Sequence, residues 1–384
     1  MPVSLLISGV VASLVGFAST LPLLVAAYHA LGASPDQMSS AVFGLCLSIA
    51  VGTLWLCLRY RLPIIVAWTA PGGALLAASH GVDIHQAVGA FLLAGLLTVL
   101  TAALQPVSML VRRIPVAIAA AMLAGVLFRF AIALCEAAAA EPALVLPLAV
   151  LFLVARRLSP FGAVLVVLGI GVALAFLLGR VAPLPEGLPL PVPGLIWPAF
   201  DLQTLIGVGL PLYLVTMASQ NLPGFAVLQA AGYTPPTRAI LTTVGLASIA
   251  AAPLGTLSIN LSALTASLCT GPDTHPDPAR RWVAGLFFAA TFLAFTIGGA
   301  AFVALIVALP VSLVATFAGL ALFGPLVNAL GTALGDPLRL FPAVVTFAVT
   351  ASGVAFVGIG SAFWGLGAGL AALALERIRA PSRG

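Results

Sequence analysis

The sequence predicts an all-α polytopic membrane protein with about fourteen transmembrane segments. Hydrophobic residues make up 62% of the 384-residue chain and charged residues only 7%, whereas soluble domains carry about 25% charged residues. A hydrocarbon core about 30 Å thick requires roughly 20 apolar residues per helix, so the chain has room for about 12 to 14 crossings and almost no soluble domain. The apolar runs lack the alternation that is typical of spanning β-strands.

The apolar segments follow one another with short separations along the chain. They cover residues 5–31, 37–58, 63–79, 84–110, 114–135, 141–155, 160–180, 203–231, 236–252, 254–270, 281–300, 302–330, 338–354 and 358–376. A Pro-rich stretch over residues 181–202 predicts an extended external linker. It separates a first repeat of seven segments, residues 1–180, from a second repeat of seven, residues 203–384.

The arginines predict the orientation of the chain. All fifteen basic residues are Arg, and thirteen of them fall in loops after even-numbered segments or in the C-terminal tail. Because cytoplasmic loops carry an excess of basic residues, both termini are expected to be cytoplasmic. An odd number of segments per repeat makes the second repeat inverted, as in many secondary transporters. The arginines form no single patch, which argues against nucleic-acid binding.

The chain has no pattern that indicates an enzyme, a metal site or a cofactor. Its four cysteines lie in or at the ends of apolar segments without a CxxC or Cys/His spacing. Paired acids or a nucleophile–base set are lacking at membrane depth, and the phosphate-binding pattern GxxxxGK[ST] does not occur. We therefore expect neither catalysis nor primary ATP-driven transport by this chain alone.

Segment three, residues 63–79, is predicted to be broken rather than one continuous helix. It begins at Pro63, continues with a β-branched and aromatic run, and then reads "TAPGG" from Thr69. Proline is disfavoured inside a helix but suits its first turn, with Thr69 or Ala70 near the cap. We expect an extended stretch and then a half-helix that starts near the middle of the membrane.

Segment ten, residues 254–270, repeats this plan. A short Thr/Leu/Ser/Ile run follows Pro253, and Asn260 or Ser258 is expected to be the N-cap of a second half-helix that ends at Gly271. In a seven-plus-seven repeat the two broken segments are equivalent and enter from opposite sides. The N-termini of both half-helices would then face each other at the midplane.

Two facing helix N-termini offer an anion site without a basic side chain, because each carries unpaired N–H groups and about half a positive charge. The extended stretches cannot face lipid with unsatisfied backbone groups, so they must pair with each other or line a cavity. Either substrate contact or simple capping explains the residues at the two breaks. These are Thr69, Gly72, Ser258, Asn260 and Ser262.

Segment eight carries two amide side chains, Gln220 and Asn221, directly before Pro223. These amides can donate to a carboxylate at similar depth to the breaks, although hydrogen bonding between helices is the common use of such residues. On segment five, Arg129 lies well inside an apolar run and is a candidate for gating or charge recognition. It can instead snorkel outward or pair with Glu136, which lies seven residues on and could itself carry a proton.

Three stretches resemble the benzoate/proton symporter family, the benzoate membrane transport proteins. They are "MASQNLPGFAVLQAAGY" from Met217, "FRFAIAL" from Phe128 and "WTAPGGALL" from Trp68. That family is similar to the uracil-permease-type fold of two inverted seven-segment repeats. The resemblance implies a core of about residues 1–110 and 203–300 and a gate of about residues 111–180 and 301–376.

The resemblance also implies proton-coupled import of benzoate or a similar small aromatic carboxylate across a bacterial-type inner membrane, with the substrate between the broken segments and beside segment eight. Nucleobase members of the wider fold use acidic residues on segments eight and ten. Here Gln220, Asn221 and Asn260 are neutral, which favours an anionic substrate and leaves the proton carrier unidentified. A nucleobase or inorganic-anion transporter of the same fold and an anion channel remain alternatives, and a homodimer is one option for assembly.

Overall fold

The architecture in the computed structural model is almost entirely helical. The model describes residues 3–79, 81–104, 115–158, 162–184, 190–354, 356 and 361–379. In the first half the helices are α1 (Val3–Ala30), α2 (Pro35–Tyr60), α3 (Ala70–Ala77), α4 (Ile84–Ala103), α5 (Val116–Ala140), α6 (Pro142–Leu158) and α7 (Gly162–Leu177). In the second half they are α8 (Leu202–Gln229), α9 (Thr237–Ala251), α10 (Leu264–Thr270), α11 (Trp282–Ala308), α12 (Val311–Leu334), α13 (Leu340–Ser352) and α14 (Ser361–Arg379).

Eight helices within these described ranges are long and apolar enough to cross a membrane, judged by length and composition. They are α1, α2, α4, α5, α8, α9, α11 and α12. The prediction of a mostly helical polytopic membrane protein is confirmed. The number of fourteen crossings and the inverted repeat remain predictions.

One predicted segment boundary is wrong. The sequence suggested a division near residue 301, after two adjacent glycines, but α11 continues to Ala308 and ends before Pro310. Proline restricts the preceding residue and cannot continue a helix, so it ends α11. Gly299 serves packing instead, because a Cβ there would lie 2.8 Å from the side chain of Val42 on α2.

Helix α8 contains two π-helical turns, Leu205–Gly209 and Met217–Asn221. Each is followed after one residue by a proline, Pro211 or Pro223. A proline removes one i→i−4 hydrogen bond and its ring crowds the preceding turn, so the helix widens there. The prediction that Pro223 disturbs this helix is confirmed.

Both predicted broken segments consist of a short strand followed by a short helix. The strands are β1 (Val66–Trp68) and β2 (Ile259–Leu261), and they pair antiparallel with Ala67 opposite Asn260. Of the two arrangements expected for the extended stretches, pairing with each other or lining a cavity, the structure has the pairing. Because side chains alternate along a strand, the two-stranded ribbon has two different faces.

One face of the ribbon, called here the polar face, carries four polar side chains together with one alanine and one isoleucine. In sequence order it comprises Ile65, Ala67, Thr69, Ser258, Asn260 and Ser262. The opposite, apolar face carries Val66, Trp68, Ile259 and Leu261, all of which are buried. The ribbon is therefore amphipathic although it lies in the interior of a membrane protein.

Helices from both halves surround the ribbon in corresponding ways. On one edge Thr53 of α2 accepts a hydrogen bond from the N–H of Val66, at 3.1 Å. On the other edge Ser248 of α9 accepts one from the N–H of Ile259, at 3.0 Å. In both cases a hydroxyl from the helix preceding the broken segment satisfies the first residue of the strand.

Candidate functional site

The first half-helix begins as the sequence predicts. The Thr69 hydroxyl caps α3 by accepting from the N–H of Gly72 at 3.1 Å, and the Pro71 ring lies in the first turn. The hydroxyl of Thr216 on α8 donates to the same Thr69 oxygen at 2.9 Å. Thr69 is fully buried, so in this structure it joins α3 to α8.

Gly72 lies where α3 and α8 come into close contact. A Cβ at this position would lie 2.5 Å from the Leu212 side chain of α8 and 2.5 Å from the Thr69 methyl group. Only a residue without a side chain lets α8 approach the start of α3 in this way. Gly72 therefore brings the backbone of the half-helix close to α8.

The second half-helix starts differently from the prediction. Ser258 and Asn260 do not cap α10, because Asn260 lies in β2 and Ser258 directly precedes it. The hydroxyl of Ser262 takes the capping role and accepts from the N–H of Thr265 at 3.2 Å. The pattern Ser-Ile-Asn-Leu-Ser is polar at every second position, which is typical of a strand rather than of a helix start.

Two buried polar atoms on the polar face have no hydrogen-bond partner. They are the Ser258 hydroxyl oxygen and the Asn260 side-chain carbonyl oxygen. The Asn260 amide nitrogen is occupied, since it donates to the Leu261 carbonyl at 2.9 Å. Unpartnered buried polar groups are uncommon and costly in proteins, so these two atoms mark the polar face as a place for a ligand or water.

Asn221 has a structural contact in addition to any role in recognition. Its side chain is fully buried, and its carbonyl oxygen accepts from the N–H of Leu261 at 2.9 Å. Gln220, beside it in the π-turn, is partly exposed and makes no side-chain hydrogen bond within the described residues. This turn contacts both β2 and α5, so the backbone that carries Gln220 lies next to the ribbon and next to a helix of the predicted gate.

The backbone donors of the ribbon are not all used in the same way. Strand alternation directs the N–H groups of Val66, Trp68, Ile259 and Leu261 away from the partner strand. Thr53, Ser248 and Asn221 accept from three of them. The N–H of Trp68 donates to no side chain of the described chain and remains a candidate donor to a ligand.

The geometry at the ribbon favours anions. The Thr69–Ser258 and Ile65–Ser262 pairs are four residues apart, which separates the starts of α3 and α10 by roughly 13 Å at about 3.3 Å per residue. Both positive helix ends thus point toward the ribbon from its two ends. None of the nine acidic residues in the described ranges lies in β1, α3, β2, α10 or the π-turn at Gln220.

Sequence reasoning missed the hydroxyl residues that support the ribbon, namely Thr53, Thr216 and Ser248. Each lies within an apolar helix, where hydroxyl side chains usually bond to the carbonyl four residues back. No sequence signal separates such residues from those that reach a neighbouring strand. Tyr28 of α1 was also missed, although its hydroxyl donates to Gly255 at 2.6 Å and accepts from the Leu257 N–H at 3.2 Å.

The aromatic residues near the break belong to a packed cluster on the apolar face. Trp68 lies 5.7 Å from Phe17 of α1 and 6.4 Å from Phe292 of α11, measured between ring centroids. Phe17 also stacks on Phe295 at 4.4 Å. Both Phe17 and Trp68 are buried, so they hold α1, β1 and α11 together in this structure.

Arg129 and Glu136 lie away from the ribbon. Arg129 lines a separate cavity together with the last turn of α3 and the first turns of α8, whereas Glu136 is exposed on α5. The two side chains form no ion pair, although both are described, so the pairing that the sequence allowed as one alternative for Arg129 is not formed. Near that cavity, hydrogen bonds from Thr204 hold the pKa of Asp201 below its usual value, and Asp201 caps α8.

The whole chain matches one family model. Residues 1–375 match the model described as "Benzoate membrane transport protein". The inner membrane protein YdcO of Escherichia coli is 37% identical over 369 residues, covering 96% of this chain and 94% of that protein. A benzoate membrane transport protein of Acinetobacter baylyi is 35% identical over 370 residues, covering 95% and 93% of the two chains.

Two solved structures share the fold at low sequence identity. The transmembrane domain of the cyanobacterial bicarbonate transporter BicA gives a TM-score of 0.60 at 16% identity, covering 96% of this chain and 97% of that one. The murine Slc26a9 anion transporter gives 0.62 at 14% identity, covering 97% and 68% of the two chains. At such identities the likeness concerns the fold alone.

Proposed function

Because this chain belongs to the benzoate membrane transport protein family, we propose that it imports benzoate or a similar small aromatic carboxylate as a secondary transporter. The substrate carboxylate would lie on the polar face of the ribbon, between the starts of α3 and α10. The amide of Gln220 would donate to it from α8. The aromatic ring would extend toward the boundary between core and gate.

The observation that carries this proposal is the set of unused polar groups around the ribbon. Ser258 presents a buried hydroxyl without a partner, and the amide of Gln220 is free within the described chain. The unpartnered Asn260 oxygen is an acceptor, so it does not itself bind a carboxylate. A hydroxyl group and an amide can donate to a carboxylate, and two helix N-termini add positive potential. Because no carboxylate of the described residues lies there, an anionic substrate meets no like charge.

We further propose fourteen crossings in two inverted repeats, with cytoplasmic termini, a mobile core and a gate that includes α5. The matching contacts of Thr53 and Ser248 support the repeat, because each caps the first residue of the strand that follows it. Inward movement of protons would drive uptake. The ten acidic residues of the sequence all lie in loops or near segment ends, so none of them is assigned as the proton carrier.

A second candidate is transport of an inorganic anion such as bicarbonate. The anion site needs no aromatic pocket, and the aromatic side chains near β1 are already packed against one another. The same polar groups would then hold a smaller anion. Competition separates the two candidates, because only a benzoate carrier loses its uptake signal to substituted benzoates and retains it in excess bicarbonate.

The decisive experiment is uptake of radiolabelled benzoate into proteoliposomes, with and without an inward proton gradient. We expect saturable uptake that the gradient drives above the external concentration. Saturable uptake without a response to the gradient would contradict proton coupling alone. No uptake by folded protein, combined with bicarbonate uptake, would replace the benzoate proposal by the second candidate.

The site assignment is tested by Gln220→Ala against the matched control Gln229→Ala. Both glutamines lie on α8, but Gln229 is exposed near its end. Losing a hydrogen bond to a charged group costs about 1.5–3 kcal/mol, so Gln220→Ala should raise the KM for benzoate by about tenfold or more. Equal KM values in both variants would contradict a role of Gln220 in substrate binding.

A further inference from the structure

A cavity that is separate from the ribbon lies about 12 Å from Thr69, at the other end of the eight-residue helix α3. It has a volume of about 40 Å³, which is enough for a few water molecules. Its polar lining comes from five helices or their ends. The residues concerned are Ser79, Arg129, Thr204, Thr350, Gly353 and Ser361.

Among the described residues, Arg129 is the only basic one that lines this cavity, and it forms no ion pair or hydrogen bond with any of them. Its guanidinium lies directly against Gly353, in the space that a side chain there would fill. Gly353 has a left-handed backbone with φ of 68° and follows the last residue of α13. An unpaired cation inside a membrane protein is costly and is commonly found at a functional site.

The hydroxyl groups of Thr350 and Ser361 are not free to bind a ligand in the cavity. The Ser361 hydroxyl donates to the Thr350 carbonyl at 2.9 Å. The Thr350 side chain is buried, and its hydroxyl lies against Gly365 of α14. The unpaired guanidinium of Arg129 is therefore the group that would bind an anion in this cavity.

The carboxylates nearest in sequence to the cavity lining are already engaged. Asp201 accepts from the N–H and hydroxyl of Thr204, at 2.9 and 2.8 Å. Asp83 caps α4 by accepting from the Gln86 N–H at 2.9 Å. Neither forms an ion pair with Arg129.

We propose that this cavity is a second anion-binding site, in which Arg129 holds the carboxylate of the substrate before it reaches the ribbon. The proposal rests on the proposed function for its substrate and deepens it by adding an entry site. Both predicted parts of the protein contribute to the cavity lining, since Thr204 belongs to the predicted core and Arg129 to the predicted gate. The arginine distribution predicts that this end of the molecule is external.

The competing role of Arg129 is structural. The last carbonyl groups of α3 and α13 lie near the cavity, and a cation at helix C-termini is stabilising on its own. A structural arginine would be insensitive to the charge of an added ligand. The test therefore compares an anion with a neutral molecule of the same shape.

The first measurement is modification of Arg129 by phenylglyoxal in the purified wild-type protein, quantified by mass spectrometry. We expect benzoate to slow modification at least threefold and benzamide, its neutral counterpart, to have no effect. Arg180 serves as the internal control, because it pairs with Glu141 at 2.5 Å and is exposed. No protection, or equal protection by both compounds, would overturn the anion site whether or not the protein transports benzoate.

The second measurement assigns the site to one face of the membrane. Arg129→Gln should raise the KM by about tenfold for benzoate added at the external face of oriented proteoliposomes and leave the KM from the internal face unchanged. Arg180→Gln should change neither. If Arg129→Gln does not fold, Arg129→Lys keeps the charge but loses the fork of donors, and it should show a smaller rise on the same face.

Equal effects on both faces would overturn an entry site and return Arg129 to a structural role. Failure of the wild-type protein to transport benzoate would remove the proposed function but not the footprinting result. Protection by benzoate in such a protein would leave a carboxylate-binding site without a transported carboxylate. The two failures are thus distinguishable.

Discussion

The two broken segments have the same plan but different chemistry. The first arm comprises β1 and α3, and the second arm comprises β2 and α10. In each arm a hydroxyl from the preceding helix caps the first strand residue, and a hydroxyl within the arm caps the half-helix. The first arm contributes one polar side chain to the polar face, Thr69, and the second contributes Ser258, Asn260 and Ser262.

This difference between the arms shows how two segments of the same architecture can form an asymmetric site. In the second arm, the side chain of Asn221 accepts a hydrogen bond from the N–H of Leu261 that points away from β1. The side chains of Ser258 and Asn260 each retain an oxygen atom without a partner. In the first arm, the N–H of Trp68 donates to no described side chain, while Thr69 is used for capping and for the bond to Thr216. The first arm thus offers backbone donors and the second offers side chains.

The largest effect on stability is expected from Asn221→Ala, which would remove a hydrogen bond to the second arm and leave the first arm unchanged. The change leaves the buried N–H of Leu261 without a partner and opens a small cavity, so unfolding should become easier by about 2–3 kcal/mol. Thermal unfolding in detergent measures this loss. As a control, Thr20→Ala on α1 should be milder, because the Thr20 hydroxyl donates only to the carbonyl of Gly16 in its own helix.

A somewhat smaller effect is expected in the first arm from Gly72→Ala, with Gly73→Ala as the control. A Cβ at Gly72 would lie 2.5 Å from two side-chain carbons, whereas a Cβ at Gly73 would make ordinary contacts at 3.7 Å or more. Overpacking should cost Gly72→Ala about 2 kcal/mol and should push α3 away from α8, which lowers benzoate uptake. Similar melting temperatures for both variants would contradict this prediction, because they would show that α3 and α8 can accommodate the added methyl group without loss of stability.

The similarity of the arms is tested by Thr53→Val and Ser248→Ala, which remove the two strand caps. Each leaves one buried backbone N–H unsatisfied, and we expect a loss of about 1 kcal/mol from each variant. Parallel unfolding measurements should give equal losses within error. A loss confined to one variant would mean that the two caps are not equivalent.

The smallest effect on stability is expected from Ser258→Ala. Its buried hydroxyl has no partner in the structure, so its removal should change the free energy of unfolding by less than about 0.5 kcal/mol. Benzoate binding should nevertheless weaken if this hydroxyl contacts the carboxylate. Unchanged stability together with unchanged KM would remove Ser258 from the proposed site.

The architecture of the breaks was predictable because prolines and backbone hydrogen bonding leave few alternatives. Pro71 after Thr69 predicted the start of α3, and the need to satisfy extended backbone predicted the ribbon. The start of α10 was predicted wrongly, since Ser258 and Asn260 were read as caps. The period-two pattern of polar residues would have indicated the strand.

Other features depend on contacts between distant parts of the chain and carry no local signal. The close approach of Gly299 on α11 to Val42 of α2 is one example. The register of β1 against β2 and the reach of Thr53 and Ser248 to the strands are tertiary as well. For the same reason the sequence suggested that Arg129 pairs with Glu136, while the structure turns the guanidinium toward Gly353.

The ribbon also has a consequence for synthesis of the chain. Val66 pairs with Leu261, so 195 further residues must be made before β1 meets its partner (261 − 66 = 195). At roughly 5–20 residues per second, this takes about 10–40 s. Throughout that interval the membrane-inserted first half holds a strand with an open edge, which neither lipid nor water at that depth can satisfy. The newly made first half must therefore be protected by the insertion machinery, and a chain that stops before β2 is expected to be degraded.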